Sequence, residues 1–431
     1  MICRVYHSSP LDRVAGVVYT GFTSFEGFDH VGMQRTRFHI DYVTLILMYL
    51  LALVGLFVIA NASRSIAPAH DPLYYVKRQF IWIILGTIVL VVAAWFDYEK
   101  FKKLAPFIYW TAIALLGFVL VHGSSALGAQ RWIQLGPFQL QPSELAKIAI
   151  VITLATHLDK KKSLSRWRDL ISPLVHVGIP MLLILKQPDL GTTLVFVAIT
   201  VGMFYMAGVP WTKMLIFPAG LAMVILLIYL HFRLGIPIPL MHGYQLKRLL
   251  IFLNPNSDPL GSGFNVIQSR IAIGTGGLWG GGLAGAQTNL LGFLPESYTD
   301  FIFASVGEVL GFVGSMAILF VYLIILARGT YIAYQAKDRF GTLLASGIVA
   351  MFAFHVIESA GMASGIMPVA GVPLPFMSYG GSAFLADSAG IGILLNVYGR
   401  RKAQKYKPAV AQTLPIMYSP LSEPDIGGSH S

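Results

Sequence analysis

The sequence predicts an all-α polytopic membrane protein of about ten transmembrane helices, with both termini cytoplasmic and a large extracytoplasmic loop between spans seven and eight. Three observations carry the prediction. Hydrophobic residues make up 55% of the chain and charged residues only 12%, against about 25% charged in a typical soluble domain; mean hydropathy is +0.68. Apolar runs of near-spanning length follow one another along the chain, and a helix needs about 20 residues to cross the hydrocarbon core. Of the 31 Lys and Arg residues, 21 fall on the side of the termini and 9 on the other, with Lys147 inside a span. By the positive-inside rule that asymmetry sets the orientation.

Residues 1–40 form a polar extension without the apolar core or cleavage site of a secretory signal. Met33-Gln-Arg-Thr-Arg-Phe38 leads directly into the first span, so Met33 is the expected translation start. The spans are read at residues 42–60, 79–96, 104–122, 143–158, 171–185, 190–208, 212–232, 301–327, 341–362 and 381–398, within a transmembrane domain of residues 41–400. The extracytoplasmic loop covers residues 233–300. Residues 401–431 are first basic, then rich in Pro, Ser and Gly, the composition of a disordered cytoplasmic tail. Lys160-Lys161-Lys162 and Arg400-Arg401-Lys402 read as anchors against an anionic leaflet, so no nucleic-acid partner is expected. Cys3 is the single cysteine, which excludes an internal disulfide.

Nearly every polar cluster falls outside on this topology. In Gln141-Pro-Ser-Glu-Leu-Ala-Lys147, Ser143 is placed to cap a helix, and Glu144 and Lys147 share one face three residues apart. An ionisable group one turn into a span faces protein or a wet cavity, which makes Lys147 a functional candidate; Glu144 and Asp189 are its possible partners. Arg131-Trp132, Tyr244-Gln-Leu-Lys-Arg248 (with Lys247) and Arg270 supply cations on the same side. The segment from Ile267, with Gln268 and Arg270, reads as an amphipathic helix entering a glycine-dense turn, which is either a linker or a backbone approach to phosphate. Pro368 to Ser382 reads as a rigid loop in which Ser378, Tyr379, Gly380 and Gly381 present hydroxyls and amides to sugar or phosphate.

Leu294-Pro-Glu-Ser-Tyr-Thr-Asp-Phe-Ile-Phe303 places Glu296, Thr299 and Asp300 where water meets lipid. Asp300 is placed to cap the following helix. It is equally placed to act as a base, with Glu296 raising its pKa by like charge or sharing a divalent metal, Mg or Mn, with it.

The wording of these segments resembles the SEDS family of peptidoglycan glycosyltransferases. QPSELAK, QPDLGTT, FLNPNSDPLGSGFNVIQSRIAIGTGG, LPESYTDFIF and PLPFMSYGGS carry the resemblance from about Met33 to Arg401, and their detail is nearer the RodA-like elongation branch than the FtsW-like division branch. The resemblance implies a ten-span protein of the inner membrane that polymerises lipid II onto a growing glycan strand at the outer face. The implied partners are a class B penicillin-binding protein and other membrane proteins of the elongation complex. It makes Asp300 the catalytic residue and maps the family's motif lysine and aspartate onto Lys147 and Asp189. The chemistry suits the residue types: a sugar hydroxyl is a weak acid and needs a base, while a departing diphosphate needs cations or a metal.

The chain departs from the family where Ser359, Gly281 and Val309 stand, and in carrying Glu358 and Asp387 inside its last two spans. Those two acids need partners; His355 is one candidate, and local hydrogen bonding is the alternative. A lipid II flippase, a septal polymerase and a non-catalytic scaffold for a penicillin-binding protein are the competing readings. A flippase needs a polar pathway through the midplane, for which the chain offers Lys147, Glu308, Glu358 and Asp387.

Overall fold

The computed structural model describes residues 39–401, apart from 69–70, 127–128, 137, 162, 235–250, 253 and 262. The expected start at Met33, the tail from residue 402, and the cations Lys247 and Arg248 lie outside the described residues. Among the described residues eleven helices of thirteen or more residues organise the chain: α1 (Tyr42–Ala62), α2 (Tyr74–Trp95), α3 (Tyr98–His122), α4 (Pro142–Asp159), α5 (Trp167–Lys186), α6 (Leu190–Met206), α7 (Ile216–Leu234), α8 (Phe264–Gly276), α9 (Ile302–Gln335), α10 (Arg339–Ser364) and α11 (Gly381–Gly399). Each of the ten expected spans falls on one of them, α8 being the addition. Among the described residues, α1, α2, α3, α5, α9, α10 and α11 are long and apolar enough to cross a membrane, and α6 is a shorter apolar helix. The protein is a polytopic, multi-pass membrane protein.

Burial sorts the helices into a centre and a rim. The apolar windows of α10 and α11 are 67% and 78% buried, against 22% and 17% for α2 and α3. A helix covered by protein can carry polar side chains that lipid would not tolerate, and five buried ionisable residues, Glu144, Lys147, His355, Glu358 and Asp387, lie on α4, α10 and α11. α11 packs between α2 and α4, and α10 touches α4, α6 and α9.

One element departs from the all-helical expectation. Between α3 and α4, β1 (Ser124–Ala126), β2 (Ala129–Leu135) and β3 (Phe138–Leu140) form an antiparallel sheet in that order. Gly136, at φ 60°, turns β2 back into β3. Strands this short leave no signal at the length scale of a membrane span.

The glycine-dense turn after α8 is packed against α9 and is not a free linker. It is the seat for a kink in α9 at Gly311. The Gly281 N–H donates to the Glu308 carbonyl at 2.9 Å, and the Phe312 and Val313 N–H groups donate to Gly277 and Leu278 at 2.9 and 3.1 Å. A Cβ built on Gly276 would stand 1.9 Å from the Gly307 carbonyl oxygen, so only glycine admits this backbone approach. Glu308, the one acid in the apolar run, accepts from the backbone N–H groups of Thr288 and Asn289 at 2.6 and 3.2 Å. Its charge is spent on fastening this segment to α9.

Candidate active site

Asp300 closes a tight turn that leads into α9. Glu296 adopts φ 54°, a left-handed conformation that costs a non-glycine residue about 1–2 kcal/mol and that clusters at functional sites. From there its carbonyl oxygen accepts from the N–H groups of Thr299 and Phe301 at 3.2 and 3.0 Å. The Thr299 hydroxyl donates to the Glu296 carboxylate at 2.7 Å. α9 takes Phe301 as its N-cap and has no side-chain cap, so the expectation of Asp300 as helix cap is not met: Asp300 stands one residue too early. Its half-buried side chain is directed at Gly371, where a built Cβ would meet Oδ2 at 3.0 Å.

The loop before α11 supports this turn. The Ser378 hydroxyl donates to the Thr299 carbonyl at 2.7 Å and accepts from the Leu374 N–H at 2.8 Å. Ser378 is 5% exposed, which corrects its expected role as a sugar-binding hydroxyl: internal bonds consume it. The Tyr379 N–H donates to the Tyr298 carbonyl at 2.9 Å. Gln79, buried on α2, brackets the next peptide, donating to the Ser378 carbonyl and accepting from the Gly380 N–H, both at 3.3 Å. Tyr75, Tyr298 and Tyr379 then gather as a ring cluster with centroids 4.9 to 5.6 Å apart. Burial pushes the Tyr298 hydroxyl well above its ordinary pKa, with Glu296 adding to the effect, and burial raises Tyr379 likewise. Neither phenol is therefore a base at neutral pH. Gly381 lies against the Trp82 ring.

A second group of expected residues meets at the start of α4. Gln141 is its N-cap and makes no side-chain cap bond, which displaces Ser143 from the capping role. Ser143 instead donates to Asp189 at 3.4 Å. Asp189 caps α6 through the Thr192 N–H at 3.1 Å and accepts the Thr192 hydroxyl at 2.9 Å. The Gln141 N–H donates to the Ser382 hydroxyl at 2.9 Å, joining α4 to α11. Lys147 pairs with Glu144 at 2.7 Å and meets His355 Nε2 at 3.0 Å; the alternative partner Asp189 is engaged elsewhere.

The two groups are joined through the loop before α11. A Cβ on Gly191, at the start of α6, would meet the Ala370 carbonyl oxygen at 2.6 Å, and Ala370 adjoins the Gly371 that faces Asp300.

The cations behave differently from the expectation that they wait for phosphate. Arg131 Nε donates to the Gln187 carbonyl at 3.0 Å and a second guanidinium N–H reaches the Pro188 carbonyl, so Arg131 clamps the turn before α6. Trp132 sits beside it on β2, its carbonyl accepting from the Ser124 hydroxyl. Arg270 is exposed and donates to the Gly365 carbonyl at 2.9 Å. Gln268 is half-buried on α8. Among the described residues no group of three or more His, Cys, Asp or Glu side chains is arranged to hold a metal ion. Sequence reasoning missed Gln79, Tyr75 and Gly371. A polar residue at the head of an apolar run was the available signal for Gln79.

The sequence profile described as cell cycle protein, FtsW/RodA/SpoVE, matches residues 41–403. The chain belongs to this family. Within the FtsW/RodA/SpoVE family, the peptidoglycan glycosyltransferase MrdB of Escherichia coli (strain K12) is 37% identical over 369 residues, covering 85% of this chain and 95% of that protein. A protein of Trichlorobacter lovleyi named probable peptidoglycan glycosyltransferase FtsW is also 37% identical, over 83% and 92% of the two chains. Equal identity to both names does not separate the branches. Among solved structures, one in a peptidoglycan synthase complex, reported for its coordination of polymerization and crosslinking, superposes with a TM-score of 0.69 at 31% identity, covering 83% of this chain and 97% of that one. The Thermus thermophilus rod shape determining protein RodA superposes at 0.61 with 27% identity, over 84% and 98%.

Proposed function

We propose that this family member is a peptidoglycan glycosyltransferase that polymerises lipid II into glycan strands at the outer face of the cytoplasmic membrane, with Asp300 as the general base. The observation that carries the reading is the placement of the Asp300 carboxylate. It precedes the long apolar helix α9, is directed at the Gly371 backbone and is not used to cap α9. The phenols of Tyr298 and Tyr379, in the same turn and loop, are pushed further above neutrality by burial.

In the reaction a sugar hydroxyl oxygen of lipid II forms a bond to the anomeric carbon of the growing strand, and the bond from that carbon to the lipid-linked diphosphate breaks. Asp300 takes the hydroxyl proton as the new bond forms, an effect worth about 10²–10⁴-fold. The diphosphate leaves with the bonding electron pair. Glu296 and Thr299 hold the turn, and Ser378 holds Thr299. Arg131, Lys247, Arg248 and Arg270 are the cations of the side on which the diphosphate departs, and a divalent ion would reach the site with the diphosphate.

Elongation is the process proposed, on the wording of QPDLGTT and its neighbours, and a class B penicillin-binding protein is the proposed crosslinking partner. The synthase complex among the structural neighbours supports a polymerase that works beside a crosslinking enzyme. The flippase reading fares less well: Lys147, Glu308, Glu358 and Asp387 are each at most 2% exposed, which seals the polar residues a pathway would need. Purified protein in liposomes with fluorescent lipid II, with and without the transpeptidase, tests the proposal. Polymer supports it; translocation without polymer, or neither, overturns it.

A further inference from the structure

Five ionisable side chains lie inside the bundle away from Asp300: Glu144 and Lys147 on α4, His355 and Glu358 on α10, and Asp387 on α11, each no more than 3% exposed. Lys147 Nζ stands 2.7 Å from Glu144 Oε2 and 3.0 Å from His355 Nε2. An ammonium group has donors and no acceptor. His355 Nε2 must therefore accept, and the proton of a neutral imidazole must sit on Nδ1. Nδ1 has no hydrogen-bond partner among the described residues, and neither has Asp387 Oδ1. These two buried atoms face each other at 4.0 Å. That gap exceeds a hydrogen bond of about 3.2 Å and is too short to seat a bridging water, so a small shift of α11 against α10 closes it.

We propose that His355 is a positioning residue for the site, oriented by Asp387. Lys147 fixes the Nδ1–H tautomer by donating to Nε2, an Asp387 side-chain oxygen accepts from Nδ1–H and so orients the ring, and Lys147 holds the Glu144 carboxylate in the first turn of α4. A carboxylate, imidazole, ammonium and carboxylate thus run in sequence from α11 through α10 to α4. The end they fix is the one where Ser143 reaches Asp189 and the Gln141 N–H reaches Ser382. Glu358, one turn beyond His355 on α10, is the remaining acid of the cluster. The placement of His355 stands on geometry, while its consequence for turnover rests on the polymerase reading.

The test has two arms on the full-length protein in nanodiscs. In the first, ¹⁵N-labelled histidine is observed by NMR, with a His355→Gln difference spectrum to assign the signal. The wild type is expected to show a neutral Nδ1–H imidazole at His355, and Asp387→Leu the same tautomer with its Nδ1–H proton resonance shifted upfield by loss of the acceptor. An Nε2–H or doubly protonated His355 in the wild type, or an unshifted Nδ1–H proton in Asp387→Leu, overturns the proposal. In the second arm, lipid II polymerisation is measured for His355→Gln, whose amide can accept from Lys147 and donate toward Asp387, and for His355→Leu. Retention within about threefold for Gln, against a kcat loss above about tenfold at little-changed KM for Leu, is the expected split. Equal losses in both variants overturn it. If the wild type makes no polymer while the tautomer stands, the polymerase reading fails and the orientation of His355 does not.

Discussion

The Asp300 carboxylate occupies the space that a side chain on Gly371 would need: Oδ2 lies 3.0 Å from a Cβ built there. Gly371 also adopts φ 73°, so two constraints meet at one residue. Alanine at this position pays about 1–2 kcal/mol for the left-handed backbone and pushes the carboxylate aside. Gly371→Ala is expected to lose about 10²-fold in lipid II polymerisation, the scale of a 1 Å displacement of a reacting group, while its thermal midpoint falls only modestly. A variant with wild-type turnover would show that the contact does not place Asp300.

Ser378 ties the loop before α11 to the turn carrying Asp300. Ser378→Ala leaves the buried Leu374 N–H without its acceptor and the Thr299 carbonyl without its donor, a cost of about 1–3 kcal/mol. Turnover should fall together with thermal stability, and Ser378→Thr, which keeps the hydroxyl, should recover part of both. Parallel melting and polymerisation measurements check this.

Lys147→Met strands Glu144 in the core, where breaking a buried pair costs about 3–5 kcal/mol. The double variant Lys147→Met, Glu144→Leu removes both charges and is expected to melt close to the wild type. A double-mutant cycle on thermal unfolding measures the coupling; purely additive losses would mean that the 2.7 Å contact contributes nothing.

Gly280→Ala tests the seat under α9. Its Cβ would stand 2.2 Å from the Val309 carbonyl oxygen, and overpacking against backbone costs at least the ~1–3 kcal/mol of a crowded core. The expected result is loss of monodisperse protein in detergent size-exclusion, with no comparable effect from Gly285→Ala, whose Cβ meets nothing within 4 Å.

The spans were legible because a run of apolar residues the thickness of a bilayer is a strong, local signal. α4 was harder to read, since Glu144, Lys147 and Asp159 interrupt its 18 residues; burial against α10 and α11, not lipid, makes that tolerable. The β1–β3 sheet escaped notice because two of its strands have only three residues and the seven-residue β2 lies in a short stretch between two spans. Spacing put Glu144 and Lys147 on one face but could not say which helix lay opposite, and His355 is 208 residues further on. The glycine run after α8 was visible, yet its purpose depends on the backbone of α9, which no local pattern discloses. Asp300 as a cap failed by one residue, a shift decided by the left-handed Glu296. The resemblance pointed to Asp300, and the turn geometry then supplied a reason for its placement.

Lipid II polymerisation by Asp300→Asn tests the central claim most directly, because asparagine keeps the shape of the side chain and removes only its ability to take a proton. With purified protein that elutes and melts as the wild type does, glycan synthesis is expected to fall by at least about 10²-fold, the lower range for a lost general base. Wild-type polymer yield from Asp300→Asn would contradict the account.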